Sequence, residues 1–407
     1  MNSASLAATL ARARAPWYAR RILVLLHAID HGCLHLTLPN QFALTIGHGQ
    51  PDAWLQCHHW SALRKVITRG DIGFAEGYID GDWTTPDLTG LLTLLARNRK
   101  ALDQAIYGRG WWGRFTARVQ HLLNSNTRAG SRRNIAAHYD LGNDFYALWL
   151  DPGMTYSAAR FDGDMGRSLA AAQDRKYQAM LDLVTPPAAR APLSILEIGC
   201  GWGGFAELAT QHGHRVRGLT LSRQQLDYAR QRLDVTGRGT QAEFVFQDYR
   251  DETAQYDAIV SIEMFEAVGE KYWPVYFQTI SKTLKPGGSA AIQSILIDDA
   301  LFARYRRGSD FIQQYVFPGG MLPSLSRLRE CAAQAGLTLG NVSLMGADYA
   351  ATLARWRQAF HAQADAIRAL GFDEKFMRIW HFYLAYCEAG FHAGSINVAQ
   401  FRLQHAQ

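Results

Sequence analysis

One glycine-rich segment, residues 196–204, has the composition of a nucleotide-type binding turn. An apolar stretch ends at Gly199 and Gly201, where the missing Cβ lets the backbone turn tightly and approach a ligand. Glu197 completes an E-x-G-x-G pattern, and no Lys-Ser/Thr pair follows the glycines, which excludes a phosphate-binding P-loop. The pattern favours S-adenosylmethionine (SAM) as the ligand, with a purely structural glycine turn as the alternative.

Polar residues end the next two predicted strands. Many nucleotide sites place an acid at the end of the second strand to bind a ribose, but this chain has uncharged Thr220 and Gln225 there. Asp248 and Tyr249 follow the third strand and could hold the edge and face of an adenine. Ser222 is also a candidate helix N-cap.

Strands and helices alternate from about residue 194 onwards. Such alternation predicts an α/β fold, an open and mostly parallel sheet with helices on both faces, and ligands at the carboxyl ends of its strands. The predicted strands lie in residues 194–200, 215–221, 243–248, 256–262 and 287–297.

The first third of the chain has a different organisation. It predicts a small α+β domain, residues 1–120, before a catalytic domain, residues 121–407, with the boundary inside the basic, glycine-interrupted segment 100–133. The predicted elements are a helix over 17–31, a hairpin over 34–47, two helices around a glycine turn over 60–83 and a helix over 87–98.

Composition narrows the class of protein. The 407 residues are 48% hydrophobic, which is typical of a globular protein. The five cysteines are scattered without a C-x-x-C pair, so neither a disulfide framework nor a zinc site is expected. His27, His31 and His35 recur every four residues, but Gly32 should end their helix, and we predict no metal.

Charge and hydropathy indicate the kind of partner. The net charge is +6, and arginines cluster in the first third, as at residues 12–21, 97–100 and 109–133. Such clusters attract nucleic acid or acidic lipid, or are simply solvated. The early apolar run, residues 22–29, is too short to span a bilayer. We expect a cytoplasmic protein, peripherally associated with the inner face of the membrane, without a nucleic-acid partner.

The motifs together resemble the cyclopropane-fatty-acyl-phospholipid synthase and mycolic acid cyclopropane synthase family over nearly the whole chain. The resemblance implies a seven-stranded SAM-methyltransferase sheet with helical acyl-binding additions, unsaturated phospholipid acyl chains as substrate and a possible homo-dimer. It also places around SAM the residues Tyr139, Ser157, Gly199, Gly201, Thr220, Gln225 and Tyr249. The motifs are HYDLGNDFYALWLDPGMTYS (138–157), LEIGCGWGG (196–204), GLTLSRQQ (218–225), SIEMFEAVG (261–269), LKPGG (284–288), DFIQQYVFPGGMLPS (310–324), FYLAYCEAGF (382–391) and, in the N-terminal part, GDIGFAEGYIDGDW (70–83).

The same resemblance assigns a reacting centre with two departures. It implies that Glu266 lies there with Tyr349 nearby, and that many relatives hold a bicarbonate ion between such a Glu, a His, a Tyr and a segment carrying a Cys. This chain has Gln293 at the position of the His and Ala158 at the position of the Cys. Gln forms hydrogen bonds but cannot relay a proton, so these replacements argue against bicarbonate and for altered proton removal.

The implied chemistry explains these residue types. An isolated alkene attacks the SAM methyl group and leaves a carbocation, which must be shielded from water and which aromatic faces stabilise. Glu266 is the predicted base and Glu263 the competing acid, and Tyr349 and Gln293 complete the predicted catalytic set. The candidate rings are Trp149, Tyr156, Phe265, Tyr305, Tyr315, Phe317 and Tyr349.

Several alternatives stay open. Within the same fold, the product could be a cyclopropane or a methyl-branched chain. A small-molecule O- or N-methyltransferase would instead need a compact polar pocket, and a non-catalytic lipid-binding protein would have lost its base. An aromatic stripe on the last helix could be core or tunnel wall; it comprises Phe376, Trp380, Tyr383, Cys387 and Phe391.

Overall fold

The computed structural model describes residues 14–50, 52–102, 141–185 and 192–406. Within them the chain forms two separate sheets, one of four strands near the N-terminus and one of seven strands in the larger remainder. The predicted boundary between residues 120 and 121 falls outside the described residues and stays a prediction.

The N-terminal unit packs helices on a four-stranded sheet with the order β2-β1-β3-β4. The predicted hairpin is confirmed, since β1 and β2 pair antiparallel from Cys33 with Gly47 to Thr37 with Ala43. The elements are α1 (Trp17–Leu26), β1 (Cys33–Thr37), β2 (Ala43–Gly47), β3 (Ala53–Cys57), α2 (Ser61–Ile79), β4 (Trp83–Thr84) and α3 (Leu88–Arg97).

One of these helices ends earlier than predicted, and another contains the predicted glycine turn. Helix α1 ends at Leu26, earlier than predicted, because i→i−3 hydrogen bonds from the amides of residues 27–29 tighten the chain into a turn. The predicted glycine turn inside 60–83 is present as a kink in α2, where Gly70 has φ 62° and ψ −132°. Glycine adopts this left-handed region without the strain of a Cβ, so α2 changes direction there.

The large sheet has the strand order β10-β11-β9-β8-β5-β6-β7. Only β11 runs antiparallel to its neighbours, and the other described pairs within it are parallel. The predicted seven-stranded α/β sheet is therefore confirmed. Its strands are β5 (Ser194–Ile198), β6 (Arg215–Thr220), β7 (Ala242–Phe246), β8 (Tyr256–Ile262), β9 (Leu284–Ile297), β10 (Leu337–Leu344) and β11 (Ile396–His405).

Helices cover both faces of this sheet and extend towards the N-terminal unit. They are α4 (Asn143–Ala147), α5 (Leu169–Val184), α6 (Gly204–Gln211), α7 (Arg223–Val235), α8 (Trp273–Thr283), α9 (Asp299–Tyr305), α10 (Phe311–Tyr315), α11 (Leu325–Gln334), α12 (Gly346–Ala362), α13 (Ala364–Ala369) and α14 (Glu374–His392). Single 3₁₀ turns occur at Gly239–Gln241, Tyr249–Asp251, Phe265–Ala267 and Glu270–Tyr272.

The last helix, α14, joins the two units. The Tyr78 hydroxyl lies 2.9 Å from His381 Nδ1, and Arg378 Nε donates to the Tyr78 carbonyl at 2.8 Å. Thr89 Oγ1 donates to Glu388 at 3.2 Å. These contacts connect α2 and α3 with α14, so the N-terminal unit is held against the helical additions.

Two absences hold for the part of the chain that the structure describes. No helix there combines the length and apolar character needed to cross a bilayer. No group of three or more metal-ligating side chains is present in the same residues.

Candidate active site

A cavity of about 150 Å³ opens at the carboxyl ends of β5, β6, β7 and β8; we call it the glycine cavity. Its lining includes six predicted cofactor residues: Ser157, Gly199, Gly201, Thr220, Gln225 and Tyr249. Parallel strands bring their carboxyl ends to one edge of a sheet, so segments distant in sequence converge there. Tyr139 lies outside the described residues.

The glycine turn packs tightly against the loop that follows β8. Gly199 has φ +83°, and a Cβ there would lie 2.8 Å from Met264 Cγ. Gly201 has φ +51° and open space where its Cβ would be. Gly199 is therefore required by close packing, whereas Gly201 leaves room for a ligand to approach the backbone.

The second strand end is ordered as predicted. Ser222 caps α7, its Oγ accepting from the Gln225 amide at 3.3 Å. Thr220 Oγ1 donates to Gln225 Oε1 at 3.1 Å, and both residues are buried and face the glycine cavity. These side chains present neutral polar groups to a ligand.

Of the two residues that follow the third strand, Tyr249 lines the glycine cavity and Asp248 does not. Tyr249 lines the glycine cavity together with Gln247. Asp248 is buried and accepts from Arg250 NH2 at 2.5 Å, and its side chain also accepts from the Arg250 amide. Asp248 thereby orders the turn that presents Tyr249, and a direct contact of Asp248 with a ligand stays a prediction.

Glu197 lines this cavity, and Lys176 is buried behind Ser157 of its wall. Lys176 Nζ donates to Ser157 Oγ at 2.6 Å, and burial lowers the Lys176 pKa to about 8. Glu197 lines the cavity, burial raises its pKa well above the usual range, and its Oε2 has no hydrogen-bond partner. The unpartnered Glu197 oxygen could accept a hydrogen bond from the ammonium group of SAM, so Glu197 fits that ligand. Lys176 lies in an ordinary amphipathic helix, and no sequence signal singled it out.

A second cavity, of about 440 Å³, lies between the two units; we call it the apolar cavity. The N-terminal unit supplies a wall of aliphatic side chains, including Ile22, Leu26, Leu55, Leu63, Val66 and Leu95. The remainder of the chain supplies the opposite wall. A charged group formed by Asp71, Arg99, Arg304 and Asp310 also lines it.

The structure separates the predicted aromatic residues into cavity wall and core. Tyr156, Tyr305, Phe317 and Tyr349 line the apolar cavity, Trp149 and Phe265 lie in the core, and Tyr315 is partly exposed. The stripe on α14 also divides, because Tyr383, Cys387 and Phe391 face the cavity while Phe376 and Trp380 stack on each other. Both alternatives for that stripe therefore hold, each for part of the helix.

The two cavities share a wall. Tyr156, Glu263 and Ala267 line both of them. The Tyr156 hydroxyl lies 2.7 Å from that of Tyr383. A group held in the glycine cavity and a chain held in the apolar cavity would meet at this wall.

Glu263 carries the densest hydrogen bonding at the junction. Its Oε1 accepts from the Ala158 amide at 2.8 Å and from Gln293 Nε2 at 2.7 Å. Its Oε2 accepts from the Tyr349 hydroxyl at 2.7 Å. Burial raises the Glu263 pKa, while these three donors and Lys176 oppose the rise by favouring the carboxylate.

Glu266 lies on the side of the apolar cavity. Its Oε1 accepts from the Ile295 amide at 2.5 Å and from Ser294 Oγ at 3.0 Å, whereas its buried Oε2 has no hydrogen-bond partner. Burial and the neighbouring Glu263 raise the Glu266 pKa to about 8. At neutral pH Glu266 is therefore mostly protonated and holds little negative charge.

The groups implied for bicarbonate are already engaged. Tyr349, Gln293 and the backbone amide of Ala158 all donate to the Glu263 carboxylate. A bicarbonate ion would compete with this side chain for the same donors, so the residues present do not fit it.

Comparison with known proteins gives the following similarities. The model of the mycolic acid cyclopropane synthetase family matches residues 126–401. Tuberculostearic acid methyltransferase UfaA1 of Mycobacterium tuberculosis is 40% identical over 355 residues, which cover 85% of this chain and 82% of the relative. Cyclopropane-fatty-acyl-phospholipid synthase of Escherichia coli K12 is 32% identical over 361 residues, 87% of this chain and 88% of the relative.

Solved structures agree on the architecture. The mycolic acid cyclopropane synthase CmaA1, complexed with SAH and CTAB, is 31% identical with a TM-score of 0.62 and covers 67% of this chain and 98% of its own. Coclaurine N-methyltransferase, bound to N-methylheliamine and SAH, is 15% identical with a TM-score of 0.61, covers 82% of this chain and 99% of its own, and supports the fold alone.

Proposed function

Because the chain belongs to the mycolic acid cyclopropane synthetase family and is a SAM-dependent methyltransferase, we propose that it methylates a carbon–carbon double bond in an unsaturated phospholipid acyl chain. The observation that carries this proposal is the wall of Tyr156, Glu263 and Ala267 shared by the glycine cavity and the apolar cavity. A methyl donor on one side would face an extended hydrocarbon on the other.

The reaction follows from this juxtaposition. The π electrons of the alkene attack the methyl carbon, the S–CH₃ bond breaks, and its electron pair stays on sulfur. The neighbouring alkene carbon becomes a cation. Tyr156, Phe317 and Tyr349 line the apolar cavity and offer ring faces that stabilise a cation without bonding to it. The mostly aliphatic wall excludes the water that would capture the cation.

The leading product is a cyclopropane. A base removes a proton from the added methyl group, and the electrons of that C–H bond close the ring onto the cationic carbon. Tyr349 and Gln293 would act by holding the acidic group at the junction, since both donate to Glu263. Glu266, mostly neutral at pH 7, would complete the wall beside the chain.

A methyl-branched product is the second candidate. If a hydride first shifts to the cationic carbon, proton loss then gives an unsaturated branched chain. Gln293 at the position of the family's His favours this outcome, because the altered residue changes the surroundings of the proton-removal step. The name of the tuberculostearic acid methyltransferase, 40% identical, supports it as well.

The charged group on the apolar cavity supports an esterified, anionic lipid as substrate. Arg99 and Arg304 both line the cavity. Burial lowers the pKa of the Arg304 guanidinium, and the like charge of Arg99 lowers it further. Asp71 and Asp310 line the same part of the cavity, and burial raises the pKa of both carboxyl groups, that of Asp310 to about 6. Two guanidinium groups beside a hydrocarbon cavity suit a phosphate or ester group at one end of an acyl chain.

Helix α1 supports access from a membrane surface. Its buried face carries Ile22 and Leu26, which line the apolar cavity. Its outer face carries Trp17, 70% exposed, and Val24, 48% exposed, beside the exposed Arg21. A helix with an aromatic and basic outer face suits an acidic lipid surface. We propose that the protein docks peripherally through this face.

The test is incubation with methyl-labelled SAM and vesicles of an unsaturated anionic phospholipid. We expect label in the hydrocarbon chain, and NMR with hydrogenolysis will separate a ring from a branch. Saturated vesicles should take up none. Label that enters only water-soluble amines or phenols would contradict the proposal and favour a small-molecule methyltransferase.

Matched variants test the membrane face. Trp17→Glu should lower turnover on vesicles while SAM affinity is unchanged, because a charge opposes insertion of α1 into acidic lipid. Val235→Glu, at an 81% exposed residue ending α7, is the control and should leave turnover unchanged. Equal turnover of the two variants would show that α1 is not part of the docking surface.

A further inference from the structure

We propose that Glu263 is the catalytic base of this enzyme, and that its carboxylate replaces an external bicarbonate ion so that turnover requires none. This inference rests on the proposed methylation of a double bond. The motif pattern favours Glu266 over Glu263, and the geometry at the junction reverses that order.

The position of Glu263 between the two cavities favours it as the base. Glu263 lines both cavities, whereas Glu266 lines the apolar cavity alone. The added methyl group starts in the glycine cavity and ends on the chain in the apolar cavity, so the proton to be removed is released at their shared wall. A base must lie within hydrogen-bond reach of that proton.

The backbone at Glu263 has an unusual conformation. Glu263 directly follows β8 and has φ +48°, a left-handed conformation that is uncommon for residues other than glycine. Its amide donates to the Gln293 carbonyl at 2.8 Å, which holds the chain in this conformation. Such strain occurs where the surroundings over-determine a side-chain position, and here it directs a carboxylate to the junction.

The hydrogen bonds that lead to Glu263 all run in one direction. Arg160 can only donate, and its NH1 donates to Gln400 Oε1 at 2.7 Å. The Gln400 amide must then donate to Gln293 Oε1, at 2.9 Å, which leaves the Gln293 amide to donate to Glu263. This buried relay presents N–H groups to Glu263 and therefore favours its ionised, basic form.

Glu263 and Glu266 differ in the hydrogen bonds that their carboxyl groups accept. They influence each other electrostatically, so the pair favours a single negative charge. Glu263 accepts from three donors on two oxygens, whereas one oxygen of Glu266 has no partner. The charge therefore resides on Glu263, and Glu266 keeps the proton.

The proposed step balances without another reactant. Glu263 takes one proton from the methyl group and becomes a neutral carboxylic acid. The electron pair of the broken C–H bond forms the new carbon–carbon bond and neutralises the cation. Bicarbonate is not needed because Tyr349, Gln293 and the Ala158 amide already hold a carboxylate.

Two variants and an added anion test this proposal. Glu263→Gln keeps the shape and removes the base, so kcat should fall by roughly 10²–10⁴-fold while SAM affinity is retained. Glu263→Gly vacates the space and suits the positive φ. Sodium bicarbonate or sodium formate should restore part of the rate of Glu263→Gly but not of Glu263→Gln. Wild-type protein should keep its full rate in buffer freed of carbon dioxide.

The outcomes separate this inference from the proposed function. Wild-type protein that never labels an acyl chain contradicts the proposed function itself. Active wild-type protein that loses its rate without bicarbonate overturns the role of Glu263. So does Glu263→Gln with an undiminished kcat, or a Glu263→Gly variant that binds SAM and is rescued by neither anion. SAM titration and thermal unfolding of each variant show that it is folded.

Discussion

The glycine cavity and the apolar cavity are built in opposite ways. The glycine cavity is small and collects strand ends β5 to β8 of one sheet, together with the chain around Ser157 and Tyr177. The apolar cavity is larger and takes its walls from two units, with Leu63 and Val66 on one side and Phe317 and Tyr383 on the other.

This difference has a chemical consequence. The glycine cavity offers fixed polar groups, including Thr220, Gln225 and an unpartnered Glu197 oxygen, which suit one defined ligand. The apolar cavity offers mainly area, and burial of hydrocarbon is non-directional, so chain length and shape should decide its selectivity. Substitutions in the first cavity should therefore abolish donor binding, and substitutions in the second should alter which chain reacts.

Of the substitutions that compare the two cavities, the largest effect is expected in the glycine cavity. Gly199→Ala places a Cβ 2.8 Å from Met264 Cγ, in the loop that carries Glu263, so we expect kcat/KM to fall on the order of 100-fold, with weaker SAM binding by calorimetry. The control is Gly213→Ala, which has the same φ of +83° but no atom within 4 Å. Equal losses in both variants would mean that backbone strain, not the cavity, requires Gly199.

An intermediate effect tests the apolar cavity. Val66→Trp should fill space lined by Val66 and exclude about two methylenes, worth about 0.8 kcal/mol each, so preference should shift roughly 15-fold towards shorter chains. SAM affinity should not change. The adjacent Ile67→Trp is the control, because Ile67 is 40% exposed. A competition assay with vesicles of mixed chain length measures the shift. An unchanged chain-length preference would show that Val66 does not line the acyl site.

The smallest expected effect concerns pH and the neutral carboxyl group. Glu266 has a folded pKa of about 8, above its unfolded value. Its stabilising contribution is therefore complete below the unfolded pKa and is lost as pH rises through about 8. Glu266→Gln stays neutral, so relative to wild type its melting temperature should gain a few degrees between pH 5 and pH 9, about 1 kcal/mol or more.

A surface substitution calibrates that measurement. Glu330→Gln, on the exposed side of α11, should melt in parallel with wild type across the same pH range. If Glu266→Gln also ran parallel to wild type, Glu266 would be ionised in the fold and the single charge would not belong to Glu263.

Most of the fold could be predicted from the sequence. Helix α3 begins after Asp87, whose side chain accepts from the Gly90 amide, close to the predicted start. The β1–β2 hairpin and the alternating strands and helices were equally evident, because each depends on hydrophobic period and turn residues over a few positions. The predicted length of α1 was wrong, because a tight turn after Leu26 ends the helix although the apolar pattern continues.

Less of the site could be predicted. The glycine turn and the Ser222 cap are local and were confirmed in position, whereas ligand contacts of Asp248 and the catalytic set stay predictions. The predicted homo-dimer and membrane location also stay predictions. No sequence pattern identifies Lys176, because its burial depends on packing of α5 against the sheet rather than on neighbours in sequence.

The sequence by itself determined the α/β sheet and the turn that faces the donor, because strand periodicity and glycine geometry act within a few residues. Only the tertiary structure decided that Glu263 would accept hydrogen bonds from Tyr349 and Gln293, which lie 86 and 30 positions away. It also decided that the N-terminal unit would close the apolar cavity. Both outcomes depend on how separate elements pack, and packing brings together residues whose spacing along the chain has no local signature.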